Sequence, residues 1–195
     1  MDREIDFFKI EHQNIVPVSG TILISEPFSN DAYFKRSVVL LTLNDEDGSV
    51  GYILNKNVNI PLADILGEEF DIDASVSIGG PVSIDRIDYI HTLGNKIPES
   101  KHIIGNIYWG GNFDVVLKLL RLNTIKKDQI RFFLGYSGWS KGQLKGEIDN
   151  KYWLVSHADE KTLMTNDSNY WRNTLLRMGK KYSAWLNIPE DPQLN

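Results

Sequence analysis

The 195-residue sequence contains no cysteine. Disulfide bonds, thiolate metal ligands and thiol nucleophiles are therefore excluded. The sequence also lacks a long apolar run, since its longest apolar stretch, Val38 to Leu43, is interrupted by Thr42 and falls far short of the ~20 residues that span a bilayer. The first apolar patch at the amino terminus contains acidic and basic residues, unlike a secretory signal. We expect a cytoplasmic protein with no membrane segment.

Positive charge is scarce, because 21 Lys and Arg face 26 Asp and Glu. The imbalance lies in residues 1–100, which hold 7 basic and 17 acidic residues, whereas residues 101–195 hold 14 and 9. The densest basic group is in the second half, at Lys118, Arg121, Lys126, Lys127 and Arg131. No aromatic residues alternate with it as base stacking requires, so we interpret it as a solvated surface. Direct nucleic-acid binding is not expected.

Hairpins, short strands and separate helices organise the chain, without the regular alternation of strand and helix that a doubly wound sheet needs. The apolar pattern predicts strands at Thr21–Ser25, Ser37–Asn44, Val50–Asn55, Val76–Ile78, Ile87–His91, Ile130–Tyr136 and Trp153–Ser156. We predict an α+β fold: one domain over residues 1–195 with a mainly antiparallel or mixed sheet, helices packed on it, and a helical carboxy-terminal extension over residues 159–188.

The segment after the Ile130–Tyr136 strand has a well-specified helix start. Ser140 is predicted to cap the helix, Gln143 stands three residues later as in a capping box, and Trp139 can pack on Leu144 across the cap. Gly142 and Gly146 would lie within this helix, where each costs ~1 kcal/mol relative to alanine. A close approach of another group to that face would explain them.

The same segment matches a nucleophile elbow. Gly138–Gly142 fits G-x-S-x-G, and Asp149 and His157 follow in the chain order of a hydrolase triad. An elbow needs a free serine hydroxyl, whereas Ser140 is predicted to cap a helix. We therefore favour a structural role for Ser140 and assign no catalytic residue.

The four histidines show no spacing typical of a metal site. They are His12, His91, His102 and His157. No metal and no cofactor are expected. His91 ends an apolar strand, where it could present its ring in a cleft, or it could be a hydrogen-bonded strand-end histidine.

Two glycine pairs could expose successive backbone amides: Gly79-Gly80 and Gly110-Gly111. The second pair stands directly before a predicted helix, where the macrodipole favours anions. Neither matches a Walker or dinucleotide fingerprint. Tight turning is the alternative explanation for both pairs.

An ordered set of segments resembles the YqgE/AlgH family of bacterial proteins. The segments are Gly20–Pro27, Phe34–Val38, Gly51–Asn55, Gly79–Val82, Leu134–Trp139, Gln143–Leu144, Glu147 and Trp153. The resemblance runs over residues 20–157. The resemblance implies a cytosolic α+β domain of uncharacterised function, in a family that often carries the label of transcriptional regulator. It implies no catalytic residues, and family members often have another residue where Ser140 stands.

Polar and aromatic residues within the resemblance are candidates for a shared binding surface: Arg36, Asn55, Gly79, Gly80, His91, Tyr136, Trp139, Gln143 and Glu147. We expect a binding module that recognises a small anionic ligand or a protein partner, with regulatory consequences. The alternatives are a DNA-binding transcriptional regulator, as the family label suggests, and an enzyme with a site near His91 or Ser140. The sequence does not define the oligomeric state.

Overall fold

The computed structural model describes residues 15–70 and 72–189. Ten strands lie in these ranges: β1 Thr21–Ser25, β2 Val38–Asn44, β3 Gly48–Ile53, β4 Asn57–Val58, β5 Ser75–Ile78, β6 Val82–His91, β7 Lys101–Ile104, β8 Ile107–Trp109, β9 Ile130–Ser140 and β10 Trp153–His157. Six α-helices accompany them: α1 Leu62–Leu66, α2 Phe113–Arg121, α3 Gln143–Asp149, α4 Glu160–Leu163, α5 Tyr170–Met178 and α6 Ser183–Leu186. None of these helices is long and apolar enough to cross a membrane.

The strands form one sheet in the order β10-β1-β2-β3-β9-β6-β8-β7, with β5 also paired to β9 and β4 paired to β5. The pairings along the main order are antiparallel, and β5 pairs with β9 in parallel. The predicted α+β fold with a mainly antiparallel or mixed sheet is confirmed.

The longest strand, β9, organises the sheet because its two halves pair with different neighbours. Its carboxy-terminal end pairs with β3, whereas its amino-terminal half pairs with both β5 and β6. The β2–β3 hairpin turns through Asp45, which accepts hydrogen bonds from the amides of Asp47 and Gly48 at 3.0 and 3.3 Å. Gly48 has a positive φ, 153°.

A buried arginine joins the centre of the sheet to the segment that follows α4. Arg131 is fully buried. One terminal nitrogen donates to the carbonyls of Leu163 and Thr165, at 3.1 and 2.7 Å, and the other donates to the Leu54 carbonyl and to the Ser77 hydroxyl. Burial lowers its pKa to about 10. Hydrogen bonds to neutral oxygens thus replace water around this cation.

The aromatic tail is part of the core. Tyr170, Trp171, Tyr182 and Trp185 are all buried, in the same apolar cluster as the inner residues of β1 and β2. The Trp171 indole donates to the Ser25 carbonyl at 2.9 Å. Packing therefore accounts for these four aromatic side chains.

Several elements differ from those predicted. The β7–β8 hairpin and α4 were not predicted, and β6 begins at Val82 instead of Ile87. The strand β9 continues to Ser140, four residues beyond the predicted end, because Gly48, Ser49, Val50 and Gly51 of β3 pair with its extension.

Candidate functional site

Helix α3 does not begin as predicted, because Ser140 is the last residue of β9. Gly142, left-handed with φ 76°, directly precedes the helix. The Ser140 amide donates to the Gln143 side chain at 3.0 Å, but the Ser140 hydroxyl makes no hydrogen bond within the described residues. The predicted cap by the Ser140 hydroxyl is therefore wrong, whereas Gln143 makes the hydrogen bond to the Ser140 amide that a capping box requires. The predicted packing of Trp139 on Leu144 is confirmed, since both are buried in one cluster.

The glycines of this segment are not sites of close approach. A Cβ atom added at Gly142 or at Gly146 would meet nothing within 4 Å. Gly142 serves the left-handed turn before α3, which only glycine adopts at low cost. The predicted close approach is wrong at both positions.

The hydrolase residues are engaged elsewhere. The Asp149 carboxylate pairs with Lys145 one turn earlier on α3. His157 is the last residue of β10 and lies opposite Thr21. A cleft of about 510 Å³ adjoins Ser140, and no histidine lines it. This arrangement does not support nucleophilic catalysis by Ser140.

The carboxylate of Glu147 joins two buried tryptophans. One oxygen accepts hydrogen bonds from the indole nitrogens of Trp139 and Trp153, both at 2.8 Å. The other oxygen accepts from the Gln143 side-chain amide at 3.0 Å. The two indole rings pack edge to face at 6.0 Å. Three of the predicted site residues, Trp139, Gln143 and Glu147, are thus brought together by direct contacts.

A cleft of about 460 Å³ opens beside this cluster, and we call it the acidic cleft. Its walls combine carboxylates with aromatic rings, among them Glu26, Phe28, Asp31, Glu147, Tyr152 and Trp153. Among the residues that the structure describes, no lysine, arginine or histidine lines it. Its charge is thus opposite to what the anionic ligand of the sequence analysis would need.

Glu26 is the least satisfied of these carboxylates. It accepts no hydrogen bond from the described residues, and partial burial raises its pKa. Asp31 instead accepts from the amides of Tyr33 and Phe34, at 2.8 and 2.9 Å, which shapes the loop that forms one wall. Phe28, on the same loop, is 51% exposed. The acidic cleft therefore offers an open carboxylate next to exposed aromatic surface.

Arg36 and Asn55 form a second group, outside the lining of the acidic cleft. The Asn55 side chain accepts from the Val38 amide at 2.9 Å and donates to the Arg36 carbonyl at 2.8 Å. The Arg36 guanidinium lies 5.2 Å from the centre of the Trp171 ring and donates to the Ile188 carbonyl. These contacts hold the start of β2 and the helical tail together.

Gly79, Gly80 and Tyr136 form a third group, where backbones approach closely. A Cβ atom at Gly79 would lie 2.3 Å from the Gly135 carbonyl oxygen. One at Gly80 would lie 2.3 Å from the Tyr136 carbonyl. Tyr136 itself lines the cleft beside Ser140, and Arg86 stands 5.8 Å from its ring centre. Close strand packing accounts for the glycines.

His91 is fully buried and apart from these groups. Its Nε2 lies 3.1 Å from the Gly110 carbonyl oxygen, and its Nδ1 accepts from the Leu93 amide at 3.2 Å. Burial lowers its pKa, opposed in part by the contact with Gly110. Both ring nitrogens are used, so the structure matches the strand-end histidine that the sequence analysis gave as the alternative.

The basic residues of the second half do not form a concentrated cationic patch. Arg131 is buried, Arg121 pairs with Glu69 at 3.3 Å, and Lys127 pairs with Asp73 at 3.0 Å. Two of the five residues thus have acidic partners and one is inaccessible. Among residues 15–70 and 72–189 no cluster of three His, Asp or Glu could hold a metal ion, and His12 lies outside the described residues.

Three residues that line the acidic cleft were not predicted from the sequence: Glu26, Phe28 and Asp31. Glu26 was visible only as the end of a strand, before Pro27. Ser29, Asn30 and Asp31 carry a turn signal. That signal predicts a loop but does not predict that α3 and β10 pack beside it.

Comparisons with known proteins agree with this architecture. A family model described as AlgH-like matches residues 22–183, beyond the 20–157 of the predicted resemblance and into the tail helices. UPF0301 proteins of Bacteroides fragilis and Parabacteroides distasonis are 41% and 40% identical, covering 100% and 97% of this chain and 100% and 98% of their own.

Two solved structures share the fold. The solution structure of the AlgH protein from Pseudomonas aeruginosa has a TM-score of 0.70 and 25% identity, covering 92% of this chain and 98% of its own. A crystal structure from Corynebacterium diphtheriae has a TM-score of 0.74 and 17% identity, covering 92% and 95%. With the family model matching most of its length, the chain belongs to the AlgH-like family.

Proposed function

We propose that this protein is a binding module whose acidic cleft receives a cationic side chain, arginine or lysine, of a protein partner. The observation that carries the proposal is the lining of the cleft, where three carboxylates and several aromatic rings meet and no basic residue of the described ranges is present. Cations bind favourably both to carboxylates and to the faces of aromatic rings. The open carboxylate of Glu26 supplies the ion pair.

The charge of Glu147 supports the same ligand class. Its hydrogen-bond partners are the neutral indoles of Trp139 and Trp153 and the neutral amide of Gln143. These donors orient the carboxylate but leave its negative charge uncompensated. A cation entering the cleft would interact with Glu26 and Glu147 together.

The distribution of basic residues argues against direct reading of DNA as the main function. A DNA-binding protein gains affinity by displacing counterions with clustered lysines and arginines. Here Arg121 and Lys127 pair with acids and Arg131 is buried. Regulation through a protein partner therefore fits the molecule better than binding to an operator.

The test is a titration with a capped Gly-Arg-Gly peptide, followed by the NMR signals of the Trp139 and Trp153 indole N–H groups. We expect both signals to shift, and we expect the citrulline peptide, which has the same shape without the charge, to leave them unchanged. Glu26→Gln should weaken binding by about fivefold, the effect of ~1 kcal/mol from one partly exposed ion pair.

Glu68→Gln is the matched control, because Glu68 is exposed and lies outside the cleft. It should bind the arginine peptide like the unmodified protein. Equal shifts with the arginine and citrulline peptides, or equal affinities of the Glu26 and Glu68 variants, would refute the proposal.

A further inference from the structure

The strand β10 ends the sheet, and its outer edge has no backbone partner within the described residues. The Glu26 amide donates to the Tyr152 carbonyl, which sets the alternation of the ladder between β1 and β10. In an antiparallel ladder every second residue bonds to the neighbouring strand. The backbone groups of Trp153 and Val155 therefore face away from β1. They present donors and acceptors to which a further extended segment can pair.

This edge is nearly closed to solvent although it lacks a described partner. Trp153 is 3% exposed and Val155 is 6% exposed. Because buried backbone amides and carbonyls of folded proteins are almost always paired, such an edge needs a cover. Ile15 packs against the apolar cluster that contains both residues. The chain that precedes Ile15 is therefore in a position to cover the edge.

The chain enters β1 from the end of β10 that is remote from the acidic cleft. The Thr21 hydroxyl donates to the Val18 carbonyl at 2.7 Å, and Thr21 lies opposite His157, the last residue of β10. The acidic cleft is at the first residue of β10, Trp153. A segment that precedes Ile15 must therefore run along β10 from His157 towards Trp153 to reach the cleft.

The length of the amino-terminal segment is sufficient for this path. The five residues of β10 extend over about 15 Å at a rise of ~3.3 Å per residue. Lys9 precedes Ile15 by six residues, which span at most about 20 Å when extended. An extended segment along β10 thus brings Lys9 to the acidic cleft.

The side chains of the amino-terminal segment suit the cleft. Lys9 stands between Phe8 and Ile10. A cation with aromatic and aliphatic neighbours matches a cleft in which carboxylates and aromatic rings are combined. Asp6 and Glu11 are repelled by the carboxylates of the lining, which weakens the contact. A weak contact of this kind can be displaced by a partner.

We infer that residues 5–14 lie along the outer edge of β10 and place Lys9 in the acidic cleft. The inference rests on the proposed function, because it gives the same cleft an occupant from within the chain. An arginine or lysine of a partner must displace Lys9 in order to bind. The amino-terminal segment thereby regulates access to the acidic cleft.

A spin label on the amino-terminal segment tests its position. Because the chain has no cysteine, Asp6→Cys gives one attachment site for a nitroxide. We expect this nitroxide to broaden the NMR signals of the Trp153 indole N–H and the Val155 amide. The control is Glu68→Cys, an exposed position that does not line the cleft, and a nitroxide there should leave both signals sharp.

A mixed sample distinguishes the segment of the same chain from that of a second copy. In this sample the spin-labelled protein carries no nitrogen-15, and the nitrogen-15-labelled protein carries no nitroxide. We expect the Trp153 and Val155 signals to stay sharp. Broadening in the mixed sample would assign the segment on β10 to a second copy and overturn the contact within one chain.

Removal of the Lys9 charge tests the regulation. In Lys9→Gln the internal competitor is weakened, so we expect the capped Gly-Arg-Gly peptide to bind about fivefold more tightly, the effect of one partly exposed ion pair. Lys118→Gln removes the same charge from an exposed position outside the acidic cleft and should leave the affinity unchanged.

The two measurements separate this inference from the proposed function. Broadening of the Trp153 signal, with no binding of the peptide even to Lys9→Gln, would refute the cation-binding function and support the place of the segment. Binding of the peptide, with a Trp153 signal that stays sharp beside the nitroxide at position 6, would overturn the inference alone. Equal peptide affinities of the Lys9 and Lys118 variants would overturn the regulation by Lys9.

Discussion

The acidic cleft and strand β6 use their carboxylates in opposite ways. In the acidic cleft, Glu147 accepts three hydrogen bonds from neutral donors, and none of the described lysines, arginines or histidines lies in the lining. On β6, Asp88 accepts two hydrogen bonds from the cation Arg86 through one oxygen. Burial, and secondarily the Asp88 charge, raises the pKa of the Tyr52 hydroxyl. The Glu147 carboxylate is thus oriented by neutral donors alone, whereas the Asp88 carboxylate is paired with a cation.

The largest change in stability is expected from removal of the Glu147 carboxylate. In Glu147→Ala the indole N–H groups of Trp139 and Trp153 lose their acceptor while both rings are buried. Because a buried donor left without a partner costs about 1–3 kcal/mol, we expect the free energy of unfolding to fall by about 2–5 kcal/mol. Urea denaturation followed by tryptophan fluorescence measures this.

Two controls separate shape from charge. Glu147→Gln keeps an oxygen acceptor, so we expect a loss of about 1 kcal/mol. Asp149→Asn, two residues later on α3, disturbs only an exposed pair with Lys145 and should cost less than about 0.5 kcal/mol. If Glu147→Ala were as stable as Asp149→Asn, the hydrogen bonds from the Trp139 and Trp153 indoles to Glu147 would not stabilise the fold.

We expect a smaller loss of stability at the Arg86–Asp88 pair of β6. Asp88→Asn removes the charge from a pair in which Arg86 is half exposed, so we expect a loss of about 1 kcal/mol in urea denaturation. Burial, and secondarily the Asp88 charge, raises the pKa of Tyr89 to about 12. The variant should lower that pKa while leaving it above the ordinary value, as measured by tyrosinate absorbance against pH.

The exposed pair of Asp73 with Lys127 supplies the control for this variant. Asp73→Asn should leave both the free energy of unfolding and the Tyr89 titration unchanged. A Tyr89 pKa that is the same in both variants would show that the Asp88 charge does not contribute to the raised pKa of Tyr89.

The smallest effect concerns His91, a buried histidine whose Nε2 lies 3.1 Å from the Gly110 carbonyl oxygen. Burial lowers its folded-state pKa below the ordinary value near 6.5, so the unfolded chain binds the proton first as the pH falls. Its contribution to stability is thus complete above about pH 6.5 and is lost as the pH falls through the folded pKa, by at most ~1.4 kcal/mol per pH unit.

Urea denaturation across that pH window measures the slope. His91→Gln should remove this part of it, whereas His102→Gln, at an exposed position, should retain it. Identical slopes for the unmodified protein and His91→Gln would mean that His91 is accessible to protons, and its predicted place on a ligand surface would regain support.

The sequence predicted the fold class because alternating apolar residues define most of the strands. The apolar pattern is clear in Val38–Asn44, and the residues that follow, Asp45–Gly48, are typical of a turn. The β2–β3 hairpin forms there. The β7–β8 hairpin escaped prediction, since Lys101–Ile104 and Ile107–Trp109 are too short for a period to be visible. The tail was predicted as a helix, but its burial depends on contacts with β1 that lie 146 residues away in sequence, as in the bond from Trp171 to Ser25.

The candidate site was predicted in part. Trp139, Gln143 and Glu147 lie within nine residues, so local spacing was enough to group them. Glu26 and Asp31 reach the same cleft only through the pairing of β1 with β10, which the sequence does not display. The local pattern also led to the wrong prediction that the Ser140 hydroxyl caps a helix. A serine three residues before a glutamine fits a capping box whether or not the strand continues through the serine.

The buried guanidinium of Arg131 couples the unfolding of several segments of the molecule. Its five donor contacts reach the ends of β3 and α4, the paired strands β4 and β5 and the Thr165 loop, so none of these segments can open without exposing a cation that has lost its oxygens. Unfolding of the segment after α4 is thereby coupled to unfolding of the centre of the sheet. The protein should behave as one cooperative unit, with the slowest-exchanging amides shared between β9 and the segment after α4.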